Sequence, residues 1–211
     1  MSLQAALERG LKELGVSLPT GATTRMLRYL ELLAKWNRTY NLTAIRDPQQ
    51  MVTHHLLDSL SVLPHLPLPA DAGTLADAGS GAGLPGIPLA VARPNWQVTL
   101  AEASAKKCAF LRQAAIELAL GNVQVHEGRV ERWRPAARFN VAISRAFAEL
   151  RAFIASCRHL VAPAGFLAAM KGTHPRDELS ALAGECDCTV VALRVPFLDA
   201  ERHLVLCQVE G

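Results

Sequence analysis

The sequence predicts an α/β fold, in which a mostly parallel sheet is covered by helices and preceded by a helical extension. After about residue 70, strand-like runs alternate with helix-like runs, which is typical of parallel sheets. A glycine-rich turn at residues 79–86 follows the first of these strands and precedes a helix. Because ligands bind open α/β sheets at such turns, we expect the functional site there.

Residues 1–70 are predicted to be helical. Leucines recur at helical spacing near the N-terminus, and a second apolar stripe begins at Met26. A proline-rich break at residues 64–69 ends this segment. We therefore divide the chain into a helical extension, residues 1–70, and a sheet-containing segment, residues 71–211, which together form one compact unit.

One helix of the extension has a clear start signal. Asp47-Pro48-Gln49-Gln50 is typical of a capping box, with Asp47 as N-cap and Pro48 at the first helical position. This helix is predicted to reach about Leu63. His55 and Asp58 lie three residues apart on one side of it, where they could pair on the surface or contact RNA.

Residues 71–211 are predicted to form a seven-stranded sheet. The predicted strands are 74–78, 97–102, 123–126, 139–143, 165–170, 189–195 and 203–209. Helices are predicted to begin near residues 85, 104, 147 and 176. No helix is predicted between the last two strands, so we expect them to form an antiparallel hairpin.

The composition is that of an ordinary folded domain. The chain has 211 residues, of which 50% are hydrophobic and 19% charged, so wholesale disorder is excluded. The formal net charge is +3, and arginine outnumbers lysine, which suits phosphate binding but is also what a GC-rich genome produces.

No run of residues is apolar enough to span a membrane, and the N-terminus does not resemble a signal peptide. We expect a cytoplasmic protein that is monomeric.

The five cysteines form no CxxC pair. Their odd number and apolar surroundings predict reduced, mostly buried thiols. Cys186 and Cys188 could be read as a metal clip, but no other Cys or His lies near them at ligand spacing. We therefore expect no metal site.

The glycine turn fits two different cofactors, and without Cβ atoms its N–H groups can line a pocket. Residues 81–86 form a GxGxxG pattern, and Glu102 follows about twenty residues later, as in dinucleotide-binding proteins. Asp77, Gly79, Gly81 and Gly83 also form the DxGxG pattern of S-adenosylmethionine enzymes. Glu102 could accept hydrogen bonds from ribose hydroxyls in either case.

Three features favour S-adenosylmethionine. Asp77 suits the ammonium group of a methionine moiety and would repel a pyrophosphate. Pro85 and Pro88 remove N–H donors that a pyrophosphate would use at the helix start. The turn also lies near residue 80, with no room afterwards for a separate substrate domain. A nicotinamide-dependent oxidoreductase and a noncatalytic RNA-binding module remain as alternative functions.

Several further motifs follow one another along the chain. They are Asn41-Leu42-Thr43-Ala44-Ile45-Arg46-Asp47-Pro48, His55-x-x-Asp58-Ser59-Leu60, the glycine turn, Lys106-Lys107-x-x-Phe110-Leu111, Arg129-Val130-Glu131, Ser144-Arg145-Ala146-Phe147, Lys171-Gly172 and Glu201-Arg202-His203-Leu204. With these motifs the chain resembles the ribosomal RNA small-subunit guanine-N7 methyltransferases, also called glucose-inhibited division protein B, from about residue 30 to 209. One departure is Ala101-Glu102, where the family more often has Leu-Asp.

The resemblance implies a Rossmann-like class I S-adenosylmethionine-dependent methyltransferase. The implied reaction moves a methyl group to N7 of one guanine in bacterial small-subunit (16S) rRNA, either as naked RNA or within the 30S subunit or an assembly precursor.

The motifs and the resemblance together imply roles for particular residues. The cofactor-binding residues would be Asp77, Gly79, Gly81, Gly83, Leu84, Glu102, Val130, Glu131 and Arg145. The RNA-binding residues would be His55, Lys106, Arg145, Lys171 and Arg202. Of these, Arg145, Lys171 and Arg202 would also position the reactants for transfer.

This chemistry requires no general base, because guanine N7 is an unprotonated lone pair that can attack the methyl group directly. The loop Ser144 to Phe147 agrees, since it contains neither a cysteine nucleophile nor an Asn-Pro-Pro-Tyr motif. Phe147 is either a platform for the base or a core residue. Arg145 could hold the base, bind the cofactor or form a surface ion pair. The arginine-rich segment 127–145 is either a solvated surface or a phosphate-contacting face.

Overall fold

The computed structural model describes residues 1–183 and 185–209. Its centre is a seven-stranded sheet with the order β3-β2-β1-β4-β5-β7-β6. The strands are β1 (Gly73–Ala78), β2 (Trp96–Glu102), β3 (Val123–Glu127), β4 (Phe139–Ser144), β5 (Val161–Lys171), β6 (Cys188–Ala192) and β7 (His203–Gln208). Only β7 runs antiparallel to its neighbours, β5 and β6. The predicted mostly parallel sheet and closing hairpin are therefore confirmed.

Helices precede the sheet and connect its parallel strands. The extension contains α1 (Leu3–Leu14), α2 (Ala22–Tyr40), α3 (Pro48–Met51), a π-helical segment (Val52–Leu57) and α4 (Asp58–Leu60). The remaining α-helices are α5 (Gly86–Ala92), α6 (Ala105–Glu117), α7 (Leu150–Cys157) and α8 (Arg176–Ala181), and two short 3₁₀ helices span Val130–Arg132 and Arg158–Leu160. None of the described helices is long and apolar enough to cross a membrane.

Asp47 caps the start of α3 as the sequence predicts, with Pro48 as its first residue. Both carboxylate oxygens of Asp47 accept hydrogen bonds, from the backbone N–H groups of Gln49 and Gln50. The helix that follows changes to π-helical geometry at Val52, which the sequence did not predict. Pro85 also differs slightly from the prediction, because it is the N-cap of α5 rather than its first residue.

Apolar side chains of the extension are continuous with those of the sheet. Met26 of α2 and Leu57 of the π-helical segment belong to the same buried cluster as Leu100 of β2 and Leu111 of α6. Helix α2 packs against α5 and α6, and α4 packs against α5. A second cluster, which includes Phe153 of α7, lies against the sheet as well. The extension therefore contributes to the main core of the protein.

The cysteine prediction is wrong for one pair. Cys188 of β6 and Cys207 of β7 are direct partners in the antiparallel ladder, and they form a disulfide with Cα atoms 4.1 Å apart. The Sγ atom of Cys186 lies within 4.8 Å of both sulfur atoms. Cys207 thus lies beside Cys186 and Cys188, because the hairpin brings together residues that are distant in sequence. Cys108 and Cys157 are buried thiols, as predicted.

Candidate functional site

Two adjoining cavities lie at the edge of the sheet where the parallel strands end. The central cavity, about 180 Å³, is at the glycine turn, and its lining includes Thr43, His55, Gly79, Gly81, Leu84 and Arg145. The basic cavity, about 340 Å³, lies beyond β4, and its lining includes His54, His55, Asp58, Arg145, Lys171 and Arg202. Both cavities share His55 and Arg145. The structure therefore brings the glycine turn and four of the five predicted RNA-binding residues, all but Lys106, to one place.

The N–H groups of the glycine turn are bonded within the chain. Those of Gly79 and Ser80 donate to the carbonyl of Ala101, at 2.9 and 3.1 Å. Gly83 donates to the carbonyl of Ser80 at 2.7 Å. The expectation that these N–H groups line the pocket is therefore wrong for these residues. Since a pyrophosphate is held by such donors, this geometry disfavours the dinucleotide alternative.

Two glycines of the turn have different structural reasons to lack a side chain. Gly81 has a φ of +57°, and a Cβ atom there would meet nothing nearer than the Gly79 carbonyl at 3.9 Å, so it would enter the central cavity. Gly83 has a φ of +87°, and a Cβ atom there would overlap the side chain of Ile87. Gly81 thus keeps space open for a ligand, whereas Gly83 allows the turn to pack on α5.

Asp77 lies beneath the turn rather than in the central cavity. Its side chain is fully buried, and Oδ2 accepts a hydrogen bond from the Gly86 N–H at 2.9 Å. Oδ1 has no hydrogen-bond partner among the described residues. Burial raises the pKa of Asp77 to about 7. Asp77 therefore holds the start of α5 against β1, and direct contact with a ligand ammonium stays a prediction.

Glu102 connects the end of β2 to the glycine turn. Its Oε2 accepts a hydrogen bond from the Gly81 N–H at 3.0 Å, and its Oε1 accepts one from the Ser104 N–H at 2.9 Å. A carboxylate has about four acceptor positions, so capacity remains for two further donors. Glu102 can therefore order the turn and still accept bonds from the hydroxyls of a ligand.

A buried carboxylate anchors the two arginines of the basic cavity. Asp58 is only 2% exposed. Its Oδ2 accepts from Nη1 of Arg145 at 3.0 Å, and its Oδ1 accepts from Nε of Arg202 at 3.0 Å. Arg145 also donates to the carbonyl of His54 at 2.9 Å. Asp58 thereby holds together α4, the end of β4 and the start of β7. The ion pair of Arg145 is therefore formed with a buried carboxylate and is not a plain surface ion pair.

Lys171 is held at the rim of the same cavity. Its Nζ donates to Oε2 of Glu178 at 2.9 Å and to the carbonyl of Ala148 at 2.6 Å. The side chain is only 9% exposed. Glu178 also accepts a hydrogen bond from the backbone N–H of Leu150. The charge of Lys171 is therefore balanced inside the protein before any ligand binds.

His55 forms a wall between the two cavities. Its Nε2 lies 3.0 Å from Oγ1 of Thr43, and Nδ1 has no partner among the described residues. Burial, together with the nearby charge of Arg145, lowers the pKa of His55 to about 4. His55 and Asp58 do not pair with each other on a helix surface, because this helix is buried at both positions.

The other predicted residues are placed as follows. Leu84 lines the central cavity. Val130 is buried in the second core cluster, Glu131 is exposed, and Lys106 is exposed in the first turn of α6. Val130, Glu131 and Lys106 line neither of the two cavities. The structure therefore does not bring these three together with the arginine pair.

Phe147 packs against Phe153, with ring centroids 5.4 Å apart, and lies at the border of the second core cluster. This contact favours the interpretation of Phe147 as a core residue. Asp58, expected to pair with His55 or to contact RNA, instead anchors Arg145 and Arg202, a role that the sequence analysis missed. The available signal was an acidic residue at helical spacing from His54 and His55 in a leucine-rich segment, because a buried carboxylate requires a partner.

Comparisons with known proteins identify the family of this chain. A family model described as rRNA small subunit methyltransferase G, GidB, matches residues 22–205. The ribosomal RNA small subunit methyltransferase G of Methylobacillus flagellatus is 54% identical over 96% of this chain and 97% of its own.

Solved structures show the same fold at low sequence identity. A SAM-dependent methyltransferase from Aquifex aeolicus has a TM-score of 0.59 at 17% identity, covering 77% of this chain and 94% of that chain. The O-methyltransferase TomG from Streptomyces achromogenes, solved in complex with SAM, has a TM-score of 0.57 at 16% identity, covering both chains completely. The chain belongs to the rRNA small subunit methyltransferase G family and is an S-adenosylmethionine-dependent methyltransferase of ribosomal RNA.

Proposed function

We propose that this protein methylates N7 of a specific guanine in 16S rRNA, with the cofactor at the glycine turn and the guanine in the basic cavity. The observation that carries this proposal is the position of Arg145, which lines both cavities at their junction. Two ligands bound side by side would therefore meet beside this residue.

The residues of the turn fit S-adenosylmethionine. Gly81 leaves open the space that a Cβ atom would fill, and Glu102 retains acceptor capacity for ribose hydroxyls. Leu84 and Gly79 supply a small apolar wall. We assign Asp77 and Gly83 to shaping the turn. Val130 and Glu131 line neither cavity, so their assignment to the adenine end requires the cofactor to extend past Glu102 to the turn after β3. When bound, this cofactor supplies an electrophilic methyl group on a sulfonium.

The guanidinium groups of Arg145 and Arg202 would orient the guanine. Each donates to Asp58 through one nitrogen and retains other N–H groups, which can reach a base oxygen or a phosphate. Lys171 and Lys106 are proposed to contact the RNA backbone. Because Arg145 is fixed by both Asp58 and the His54 carbonyl, its donors are positioned before the substrate arrives.

No proton transfer is needed before the methyl group moves. Guanine N7 carries no proton, and the neutral imidazole of His55 is bonded to Thr43 rather than poised as a base. The chain would therefore accelerate the reaction by orientation and by exclusion of water. N7 faces the deep groove of an RNA helix, so the target guanine must lie in a loop or be turned outward.

We also propose that the protein acts as a monomer in the cytoplasm, either on naked rRNA or on an assembling 30S subunit. Among the described residues, the large exposed apolar side chains are Met1, Tyr40, Ile116 and Phe197, which come from separate parts of the chain. Light scattering during size-exclusion chromatography tests the monomer, and comparison of naked rRNA with 30S subunits as acceptors tests the substrate.

The decisive experiment is methylation of rRNA taken from a strain that lacks the corresponding gene. Incubation with the protein and S-adenosylmethionine should yield 7-methylguanine in 16S rRNA by mass spectrometry, with an equal amount of S-adenosylhomocysteine. An unchanged 7-methylguanine content would refute the proposed reaction.

A matched pair of glycine variants tests the cofactor position. Gly81→Leu and Gly15→Leu both place a side chain at a positive φ, near +57° and +66°, and a Cβ atom meets open space at each. Both should lose about 1–2 kcal/mol of stability. Only Gly81→Leu should lose S-adenosylmethionine binding by calorimetry, because Gly15 caps α1 outside the central cavity. Equal cofactor affinities would place the cofactor elsewhere.

A further inference from the structure

A third cavity lies at the end of β3, separate from the two already described. Its volume is about 620 Å³, and its lining includes Ala103, His126, Arg129, Arg132, Trp133 and Arg134. These residues come from the end of β3, the loop after β2 and the turn that follows β3. We call it the edge cavity, because β3 is the edge strand of the sheet.

The edge cavity carries an uncompensated positive charge. Arg129, Arg132 and Arg134 are all exposed. Within residues 1–183 and 185–209, none of the three forms an ion pair with a carboxylate. The one acidic residue in the lining, Glu127, is paired with Arg112 at 2.9 Å. Three guanidinium groups therefore face a space that is open to an anionic ligand.

Aromatic rings accompany these charges. The rings of His126 and Trp133 stack with centroids 4.3 Å apart and an interplanar angle of 12°. Burial lowers the pKa of His126, which favours the uncharged imidazole. Arginines beside aromatic rings are the combination that binds single-stranded nucleic acid, through phosphate contacts and base stacking.

The edge cavity opens where the parallel strands end, as the central and basic cavities do. Strands β3 and β5 are separated by β2, β1 and β4, so their ends lie about 19 Å apart. This distance corresponds to a few nucleotides of an extended strand. An RNA whose target base reaches the basic cavity could therefore pass over the edge cavity as well.

We propose that the edge cavity binds the single-stranded RNA that flanks the target guanine, with Arg132 and Arg134 on its phosphates and Trp133 against a base. This proposal rests on the proposed function, because the basic cavity defines where the target guanine lies. It assigns to the arginine-rich segment a role in substrate affinity rather than in the transfer step.

Fluorescence anisotropy with a labelled single-stranded RNA of about 12 nucleotides tests the proposal. Each phosphate contact contributes about 0.7 to the slope of log K against log salt for single strands. The double variant Arg132→Gln/Arg134→Gln should therefore lower this slope by about 1.4 and weaken binding about 20-fold at 0.1 M salt. Glutamine retains an N–H donor for the carbonyls that Arg134 contacts, those of Glu131 and Trp133.

Arg9→Gln/Arg151→Gln is the charge-matched control. Both arginines are exposed, and they pair with Glu13 and Glu185 away from the edge cavity. This control should leave the salt slope unchanged. The proposal is overturned if the Arg132/Arg134 variant keeps the wild-type slope and affinity, or if the control variant loses as much. The latter result would mean that overall charge, rather than this cavity, binds the RNA.

Tryptophan emission gives an independent readout. RNA should quench the fluorescence of the wild-type protein, and Trp133→Phe should remove this quenching while an aromatic ring still packs on Phe139. Persistence of the full quenching would contradict the contact. The failure of this proposal can be distinguished from the failure of the proposed function. If only this proposal fails, the Arg132/Arg134 variant methylates rRNA with the wild-type KM. If instead the proposed function fails, even the wild-type protein makes no 7-methylguanine.

Discussion

Asp58 acts at the residue scale as a shared anchor for two cations. Its carboxylate is almost inaccessible to solvent, whereas the side chains of Arg145 and Arg202 are 28% and 24% exposed. A buried charge of this kind is stable only while it is paired and hydrogen-bonded. The pairing therefore fixes both arginines at one wall of the basic cavity and leaves their outer N–H groups for a ligand.

Asp58→Asn should impair methyl transfer more than folding. The amide retains the shape of the side chain but removes the charge that fixes Arg145 and Arg202. We expect turnover on rRNA to fall about 100-fold and the free energy of unfolding to fall by about 1–3 kcal/mol. Asp71→Asn, at an exposed loop residue, is the control and should change neither quantity. Wild-type turnover in Asp58→Asn would exclude the anchoring role.

Asp77 should make stability depend on pH in an unusual direction. Its pKa is raised from about 4 in the unfolded chain to about 7 in the folded protein. The folded state therefore binds the proton more tightly, and stability falls as pH rises from about 4 to about 7, then levels off. Asp77→Asn should lack this decline. Chemical denaturation of both proteins between about pH 5 and 8 measures the difference.

His55 makes stability change with pH in the opposite direction over part of this range, since its pKa in the folded protein is lowered to about 4. Its contribution to stability is lost as pH falls from about 6.5 to about 4. Both proteins contain His55, so its effect cancels in the comparison. A constant difference in stability between Asp77→Asn and wild type across this range would show that Asp77 titrates normally.

Helix α2 of the extension supports the glycine turn directly. The hydroxyl of Tyr29 donates to the carbonyl of Ala82 at 2.7 Å, and the tyrosine is completely buried. Ala82 belongs to the lining of the central cavity. The N-terminal extension thus contributes to the shape of the central cavity, and no sequence pattern predicted this contact.

Tyr29→Phe should weaken cofactor binding without changing any residue of the turn. Loss of the hydroxyl leaves the Ala82 carbonyl unpaired, which costs about 1–3 kcal/mol. We expect a lower melting temperature and an increase in the S-adenosylmethionine Kd of up to about tenfold. Tyr40, the other tyrosine, is exposed, so Tyr40→Phe is a matched control. Equal Kd values for the two variants would contradict a role for this bond in the site.

For the molecule as a whole, the shared core suggests one cooperative unit. Met26 and Leu111 are 1% and 0% exposed and belong to one cluster, although they lie on either side of the predicted boundary near residue 70. We therefore propose that residues 1–70 and 71–211 are not independently stable domains. The division describes how the chain is organised rather than how it unfolds.

Met26→Ala and Leu111→Ala test this view. Each should lower the free energy of unfolding by about 2–5 kcal/mol, because each removes a fully buried side chain. Calorimetry should show a single transition in wild type and in both variants, with the whole transition moved to lower temperature. Two transitions, of which each substitution moves only one, would establish two domains.

Local patterns in the sequence were sufficient to predict the architecture and the class of site. The period of its apolar residues predicted seven strands and their connecting helices, and the glycine turn with Asp77 and Glu102 marked the site. Its motifs also identified the family, which the comparisons confirmed. These features are readable because they depend on local backbone preference and on the side chain's own chemistry.

The pairing of these residues, in contrast, is visible only in the assembled fold. The anchoring of Arg145 and Arg202 by Asp58, and the disulfide between Cys188 and Cys207, join residues that come together only once strands and helices are assembled. The same holds for Asp77, whose position beneath the turn depends on how α5 packs on β1. Such pairings depend on distances in space, which the spacing of residues along a chain does not specify.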